Sequence, residues 1–169
     1  MAIAQAGVII VPTEVETSLP SIIKGLRLAA GTCFDPRRER GRYAIQRAVY
    51  LLRTLGYGPT LRYIFKEHDG GPISNELARE LERLDGSTLR SARPDMRIAE
   101  EYPLLKTALN KGDQFVQVLG FSLSVRMRNP GFSRDELIEF QSELDPSLAP
   151  YVADAWEFME VMQWPLTIR

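Results

Sequence analysis

Residues 42–84 read RYAIQRAVYLLRTLGYGPTLRYIFKEHDGGPISNELARELERL. The first part predicts an amphipathic helix, because apolar residues recur at helical spacing, with Arg42, Gln46 and Arg53 on other faces. The apolar set consists of Ile45, Ala48, Val49, Leu52 and Leu55. Gly56 follows directly, where helices often end on a left-handed residue, and Pro59 prevents the helix from continuing. We therefore expect this helix to end near Gly56.

The remainder of this stretch predicts a strand, a turn and a second helix. Residues 61–65 are rich in β-forming side chains, which favours a short strand. Residues 69–72, Asp-Gly-Gly-Pro, have the composition of a turn. Ser74 is placed to cap a helix over 75–84. The order helix, strand, turn, helix indicates a winged-helix-like unit.

Three motifs in this stretch resemble a known family. They are IQRAVYLL at 45–52, LGY at 55–57 and GPISNEL at 71–77. They resemble the YwgA-like family of uncharacterised prokaryotic proteins, which carry an LQKLVYLL-type helix, a short strand and a GPYS-x-EL start to the next helix. The Panacea antitoxin domain of SocA-like proteins is similar in outline. The resemblance implies a winged-helix-like fold and a regulatory or partner-binding role, with no defined reaction.

Two positions depart from the pattern of that family. Gly70 stands where the family usually has an aromatic residue before the glycine and proline pair. Arg47 stands where the family has a lysine. These changes affect details of the motif, whereas the layout of helix, strand and turn is kept.

The length of 169 residues fits a single domain. The hydrophobic share of 44% and the charged share of 25% are those of an ordinary soluble globular protein. We expect a mainly α fold with a small β-sheet. Its parts are an N-terminal arm and helix (1–36), a winged-helix-like unit (37–97) and a C-terminal helical part (98–169).

Helix signals also flank the central stretch. Ser18 and Pro20 predict the start of a helix that ends at Gly31. Residues 7–12 are apolar and predict either a short buried strand or an arm on another subunit. Residues 88–97 predict a loop or a short β-segment.

The C-terminal part predicts further helices. Pro103 suits the first turn of a helix that begins near residue 102. Asp113 is placed to cap the next helix, and Ser133 with Glu136 forms a capping-box pattern before another. The last helix should end at Trp164, which a proline follows.

Basic residues are concentrated at the front of the protein. Residues 1–60 carry eight Lys or Arg against four Asp or Glu, whereas residues 129–169 carry two against eight. Such asymmetry indicates a nucleic-acid face, an acidic partner or a self-complementary oligomer. The first hypothesis is a non-enzymatic regulatory or DNA-associated protein that contacts double-stranded DNA. The candidate contacts are Arg37, Arg38, Arg40, Arg42, Asn75, Arg79, Arg83, Arg90 and Arg93.

The alternative hypothesis is a protein-interaction module, either antitoxin-like or a complex-assembly subunit, that binds no nucleic acid. Glu76, Glu80 and Glu82 favour it, because they offset the arginines of the helix over 75–84. The partner would be another protein or a second copy in a homodimer. The last helix carries an aromatic and methionine stripe that predicts core where it is buried and an interface where it is exposed. The candidate interface residues are Trp156, Met159, Met162 and Trp164.

Catalytic, metal and cofactor chemistry is not predicted. Cys33 is the single cysteine, which excludes an internal disulfide and a cysteine-built zinc site. His68 is the single histidine, and its acidic neighbours point apart on an extended backbone. Residues 70–72 lack the spacing and the lysine of a phosphate-binding loop. We therefore expect no enzyme activity, no metal and no cofactor.

Membrane and export signals are also missing from the sequence. No apolar run approaches the roughly 20 residues that a membrane-spanning helix needs. Residues 2–11 are apolar but lack the basic start and the cleavage site of a signal peptide. We therefore expect a cytoplasmic protein that does not associate with a membrane.

Overall fold

The computed structural model describes residues 17–31 and 34–166. Within these ranges the protein forms nine α-helices and one short 3₁₀ turn, Gly58–Thr60. The helices are α1 Leu19–Ala30, α2 Glu39–Thr54, α3 Asn75–Arg83, α4 Gly86–Ser91, α5 Met96–Glu101, α6 Pro103–Leu109, α7 Asp113–Arg128, α8 Arg134–Leu144 and α9 Pro150–Val161. The predicted mainly α fold class is confirmed.

The core is built around α2 and α7. Because α7 is apolar on most of its faces, it is buried on most sides, between α2, α6 and α9. α2 buries the predicted apolar stripe, including Ile45, Val49 and Leu52. α1 packs against α4, α5 and α6, and α8 packs against α9. The helices therefore share one core.

Several predicted helix ends are confirmed. The hydroxyls of Ser18 and Ser74 accept backbone N–H bonds at the starts of α1 and α3. Gly31 ends α1 with a φ of 64°, in the left-handed region that favours glycine. Ser133 and Glu136 form the capping box at the start of α8. These ends follow from local chemistry that the sequence displays directly.

The predicted strand over 61–65 is wrong, and the small β-sheet with it. The turn Gly58–Thr60 follows α2, and Arg53 donates to a backbone carbonyl of the next segment at 2.8 Å. In the part of the protein that is described, β pairing is limited to one bridge, where Lys66 and Ile73 exchange backbone hydrogen bonds of 2.9 and 2.8 Å. β-forming residues make a strand only where a partner strand can pack beside them. The helices of the predicted winged-helix-like unit are thus present, whereas its wing is reduced to this bridge.

The prediction of a loop or β-segment over 88–97 is also wrong. α4 continues into this range and α5 begins within it. The carboxylates of Asp85 and Asp95 cap these helices by accepting backbone N–H bonds from Ser87 and Arg97. Aspartate caps thus start two short helices, and the connecting loop shrinks to 92–95.

The start of α6 agrees with the prediction, but the start of α7 does not. Pro103 occupies the first turn of α6. Gly112, with a φ of 99°, holds the cap position of α7, and the Asp113 side chain makes no capping bond. The carboxylate of Asp113 instead accepts a hydrogen bond from Arg40 at 2.6 Å.

α9 ends at Val161, three residues before the predicted end at Trp164. The apolar segment 7–12 and Cys33 lie outside the described residues. Among the helices in the described ranges, none combines the length and the apolar character needed to cross a bilayer.

Candidate functional site

The side chain of Gln46 fastens α2 to the start of α3. Its Nε2 donates to the carbonyl oxygen of Ser74 at 2.8 Å, and the Ser74 amide donates to its Oε1 at 3.0 Å. Both residues are buried. The sequence prediction placed Gln46 on a face away from the apolar stripe, and the structure corrects this. A polar residue beside the stripe needs a partner when it is buried, and here one backbone unit satisfies it.

The turn before α3 also rests on α7. Gly71 has a φ of 104°, which favours glycine, and a Cβ at this position would lie 3.8 Å from the backbone oxygen of Gln117. Pro72 lies against Gly120 on the same helix. α2, α7 and the turn therefore meet in one junction.

Arg47 follows Gln46 in α2 and lies at the edge of this junction. Its Nη2 donates to the Oε1 of Gln117 at 3.0 Å. Burial lowers the pKa of the Arg47 guanidinium, and the nearby Asp113 opposes that effect. Within the described residues Arg47 forms no salt bridge, because Asp113 accepts the 3.1 and 2.6 Å hydrogen bonds of Arg40 instead. A partly buried cation is thus left without a carboxylate at hydrogen-bond distance.

Three clefts meet at Arg47. One, of about 320 Å³, runs past Ala44 and Leu109. A second, of about 700 Å³, contains Tyr43 and Asp113. The third, of about 380 Å³, lies between Tyr43 and the turn residues 68–73.

We call Tyr43, Arg47, Gln117 and residues 68–73 the α2 surface. The side chain of Tyr43 is 44% exposed there. His68, for which the sequence predicts no metal role, is exposed on the turn. Among the described residues, no group of three potential metal ligands is close enough to hold an ion.

The arginines of residues 37–42 are engaged within the protein; Arg37 and Arg38 precede α2, whereas Arg40 and Arg42 lie in its first turn. Arg37 and Arg38 lie 3.1 and 3.7 Å from the carboxylate of Asp35. Hydrogen bonds from Arg37 lower the pKa of that carboxyl. Arg40 pairs with Asp113, and Arg42 donates to backbone carbonyl oxygens at the end of the loop. Asp35 and Asp113 therefore balance part of the positive charge of these arginines.

α3 presents both signs of charge. Asn75, Arg79 and Arg83 are exposed, and the two arginines make no hydrogen bond or ion pair in the described part of the protein. Glu76 and Glu82 are exposed on the same helix. The helix packs on α2 through buried leucines, so its outer face is a mixed one rather than a positive one.

Arg90 lies in α4, and Arg93 lies in the loop between α4 and α5. Arg93 lines a cleft of about 760 Å³ that includes Tyr57 and Asp95. Asp95 accepts hydrogen bonds from the Tyr57 hydroxyl at 2.5 Å and from Arg97 at 2.6 and 3.0 Å. The backbone oxygen of Arg90 accepts a bond from a lysine of α1. The charges of Asp95 and Arg97 in this cleft thus pair with each other.

The aromatic stripe of the last helix is mostly core. Met159 and Trp164 are buried, so the core alternative applies to them, and they do not form an exposed interface surface. The Trp164 Nε1 donates to the Thr54 hydroxyl at 3.0 Å, which ties the C-terminal segment to α2. Trp156 and Met162 are partly buried. The Arg126 guanidinium covers Trp156 at 3.9 Å from the ring centre.

Comparisons with protein-family models, curated proteins and solved structures gave no match to this protein. The resemblance to the YwgA-like family therefore stays a prediction. Sequence reasoning did not select Tyr43 or Arg47 as site residues. The one available signal was a charged residue directly beside the apolar stripe of α2.

Proposed function

We propose that this protein is a non-enzymatic protein-interaction module, antitoxin-like or a complex-assembly subunit, that binds its partner through the α2 surface. The observation that carries the proposal is Arg47: a partly buried guanidinium without a carboxylate, beside the exposed ring of Tyr43. Tyrosine and arginine are the residues on which interface energy concentrates. The bonds between Gln46 and Ser74 hold the surface in place before a partner arrives, which lowers the entropic cost of binding.

The charge distribution supports a protein partner more than DNA. DNA affinity rests on cations that neutralise phosphates, so salt bridges within the protein compete with it. Arg37, Arg38 and Arg40 already have carboxylate partners. The α2 surface itself combines Arg47 with acidic neighbours, a mixture that suits a protein surface.

A DNA-associated regulator is the second candidate. It is favoured by Arg79 and Arg83, whose guanidinium groups are exposed on α3 without partners in the described ranges. The resemblance to a winged-helix-like family would make α3 the recognition helix. For either candidate we propose the cytoplasm as the setting, since a protein with the single Cys33 needs no oxidising compartment.

Photocrosslinking in the cells that express the protein tests the proposal. p-Benzoylphenylalanine replaces Tyr43 in one variant and Val161, which is 70% exposed, in the control. We expect a discrete adduct of protein mass at position 43 that is missing at position 161. An adduct at twice the mass of the protein would identify a second copy as the partner. No discrete adduct in a folded variant, or one that nuclease removes, would contradict the proposal.

A further inference from the structure

The hydrogen bonding of Arg47 is incomplete within the fold. A guanidinium carries five N–H donors, and the fold supplies one acceptor, the Gln117 side chain at 3.0 Å. Burial lowers the pKa of Arg47, which means that part of its hydration has been lost. A cation that loses water without gaining an anion is costly to keep in a folded protein. Its remaining donors lie at the three clefts, where an acceptor from outside the protein can reach them.

The neighbouring carboxylates do not supply that acceptor. Asp113 accepts the bonds of Arg40, and Asp35 accepts those of Arg37. Glu39 and Asp69 line two of the clefts and form no salt bridge with Arg47. These groups surround Arg47 with negative charge at longer range, and none of them occupies its donors.

We infer that Arg47 is the receptor for a single carboxylate side chain, aspartate or glutamate, of the protein partner. The inference rests on the proposed function of the α2 surface and specifies the chemistry that this surface recognises. An arginine fork binds a carboxylate through two parallel hydrogen bonds, so one group engages the remaining donors. Tyr43 and Ile73, which line the same cleft as Arg47, offer apolar contact to the residues next to that carboxylate.

The surrounding acids favour a carboxylate over a nucleic-acid backbone. A phosphate backbone brings successive negative charges past Glu39, Asp69 and Asp113, which repel it. A peptide brings one negative charge to Arg47 and can place neutral or basic residues against those acids. The smallest of the clefts at Arg47 has about 320 Å³, which suits a side chain rather than a duplex.

An arginine can instead cover apolar surface with its stem and leave its head in water. Such a residue would bind a carboxylate no better than a fully exposed arginine. Arg79 is exposed and unpaired in the described residues, so the protein itself provides the comparison.

The test is an NMR titration of the full-length protein, followed at the Nε–H signals of Arg47 and Arg79. The probes are sodium acetate against sodium chloride at equal ionic strength, inorganic phosphate, and the peptide acetyl-Leu-Asp-Leu-amide against its asparagine counterpart. We expect the aspartate peptide to shift the Arg47 signal with an affinity at least about tenfold higher than at Arg79, since a desolvated fork gains more from a charge-assisted pair. The asparagine peptide should leave it unchanged. Equal responses of the two arginines, or a stronger response to phosphate than to acetate, would overturn the inference.

Arg47→Met, which keeps the length of the stem, and Arg79→Met provide the matched variants. The peptide response should be lost in the first and kept in the second. If Arg47→Met does not fold, the peptide affinities measured at the Arg47 and Arg79 signals of the unmodified protein still test the inference. Crosslinking at position 43 separates the two proposals. An adduct that survives Arg47→Met contradicts the inference and leaves the function standing, whereas peptide binding without an adduct contradicts the function alone.

Discussion

Gln46 and Ser74 lie 28 residues apart in the sequence, and one side-chain amide satisfies both backbone polar groups of one residue. The Ser74 hydroxyl meanwhile caps α3 through the amide of Leu77. Ser74 is therefore hydrogen-bonded to α2 through its backbone and caps α3 through its side chain. The position of the turn next to Arg47 depends on that arrangement.

Gln46→Ala should lower the free energy of unfolding by about 1–3 kcal/mol, because the buried amide of Ser74 would lose its partner, whereas the Ser74 carbonyl would keep the bond from the Ala78 amide. Urea denaturation followed by circular dichroism measures the change. Gln114→Ala, at an exposed glutamine whose Oε1 accepts one solvent-exposed hydrogen bond from Tyr151, should change it by about 1 kcal/mol or less. Equal stability of the two variants would show that the bonds to Ser74 do not hold the turn.

Asp95 should make the stability depend on acid pH. Burial raises the pKa of its carboxyl, but the hydrogen bonds from Arg97 and Tyr57 outweigh burial and leave the pKa below its usual value. A pKa lower in the folded than in the unfolded protein gives stability that is present above the unfolded value, about 3.9, and lost as pH falls through the folded value.

Asp95→Asn should therefore reduce the loss of stability between about pH 5 and pH 3, while asparagine still caps α5. The measurement is the urea midpoint as a function of pH. Asp154→Asn, at an exposed aspartate that makes no hydrogen bond or ion pair in the described residues, provides the control and should alter the pH dependence less. Parallel curves for wild type and Asp95→Asn would contradict the stabilising role of the Asp95 network.

Trp164 should behave as a core residue. Its ring is 3% exposed and its Nε1 bonds to Thr54. Trp164→Ala should cost about 3–5 kcal/mol of unfolding free energy, and Trp156→Ala clearly less, because Trp156 keeps part of its surface in water. Urea denaturation of the two purified variants measures the difference. A loss below about 1 kcal/mol for Trp164→Ala would contradict its assignment to the core.

Duplex DNA should bind weakly. Arg37 and Arg40 form salt bridges with Asp35 and Asp113. Because these bridges compete with phosphate contacts, the dissociation constant for duplex DNA at about 150 mM salt should stay in the range of weak nonspecific binding, about 10⁻⁴ M or weaker. Fluorescence anisotropy with a labelled duplex measures it. Binding tighter than about 10⁻⁶ M that falls steeply with salt and disappears in Arg79→Ala/Arg83→Ala would favour the DNA-associated candidate.

The elements that the sequence predicted correctly are those with local causes. Ser18, Ser74 and Ser133 cap helices through amides three residues away, and Gly31 ends α1 through its own backbone. The strand over 61–65 failed because strand formation depends on a neighbour that the sequence does not display.

The candidate site depends on distant partners, so little of it could be predicted. Gln46 finds Ser74 across a turn, and Trp164 finds Thr54 from far along the sequence. Arg47 lacks a carboxylate partner because Asp113 accepts the hydrogen bonds of Arg40 instead. Which of the two arginines bonds to Asp113 depends on how α2 packs on α7, and the sequence does not display that packing. The sequence likewise does not display the salt bridges that Arg37, Arg38 and Arg40 form within the fold.

The adduct formed at position 43 in three backgrounds is the most direct measurement of the central claim. The protein has p-benzoylphenylalanine at Tyr43 and, in addition, no change, Arg47→Met or Arg79→Met. A protein partner recognised through Arg47 predicts one discrete adduct that is lost with Arg47→Met and kept with Arg79→Met. Equal adducts in all three folded backgrounds would contradict recognition through Arg47, and the lack of any adduct would contradict the α2 surface as the interface.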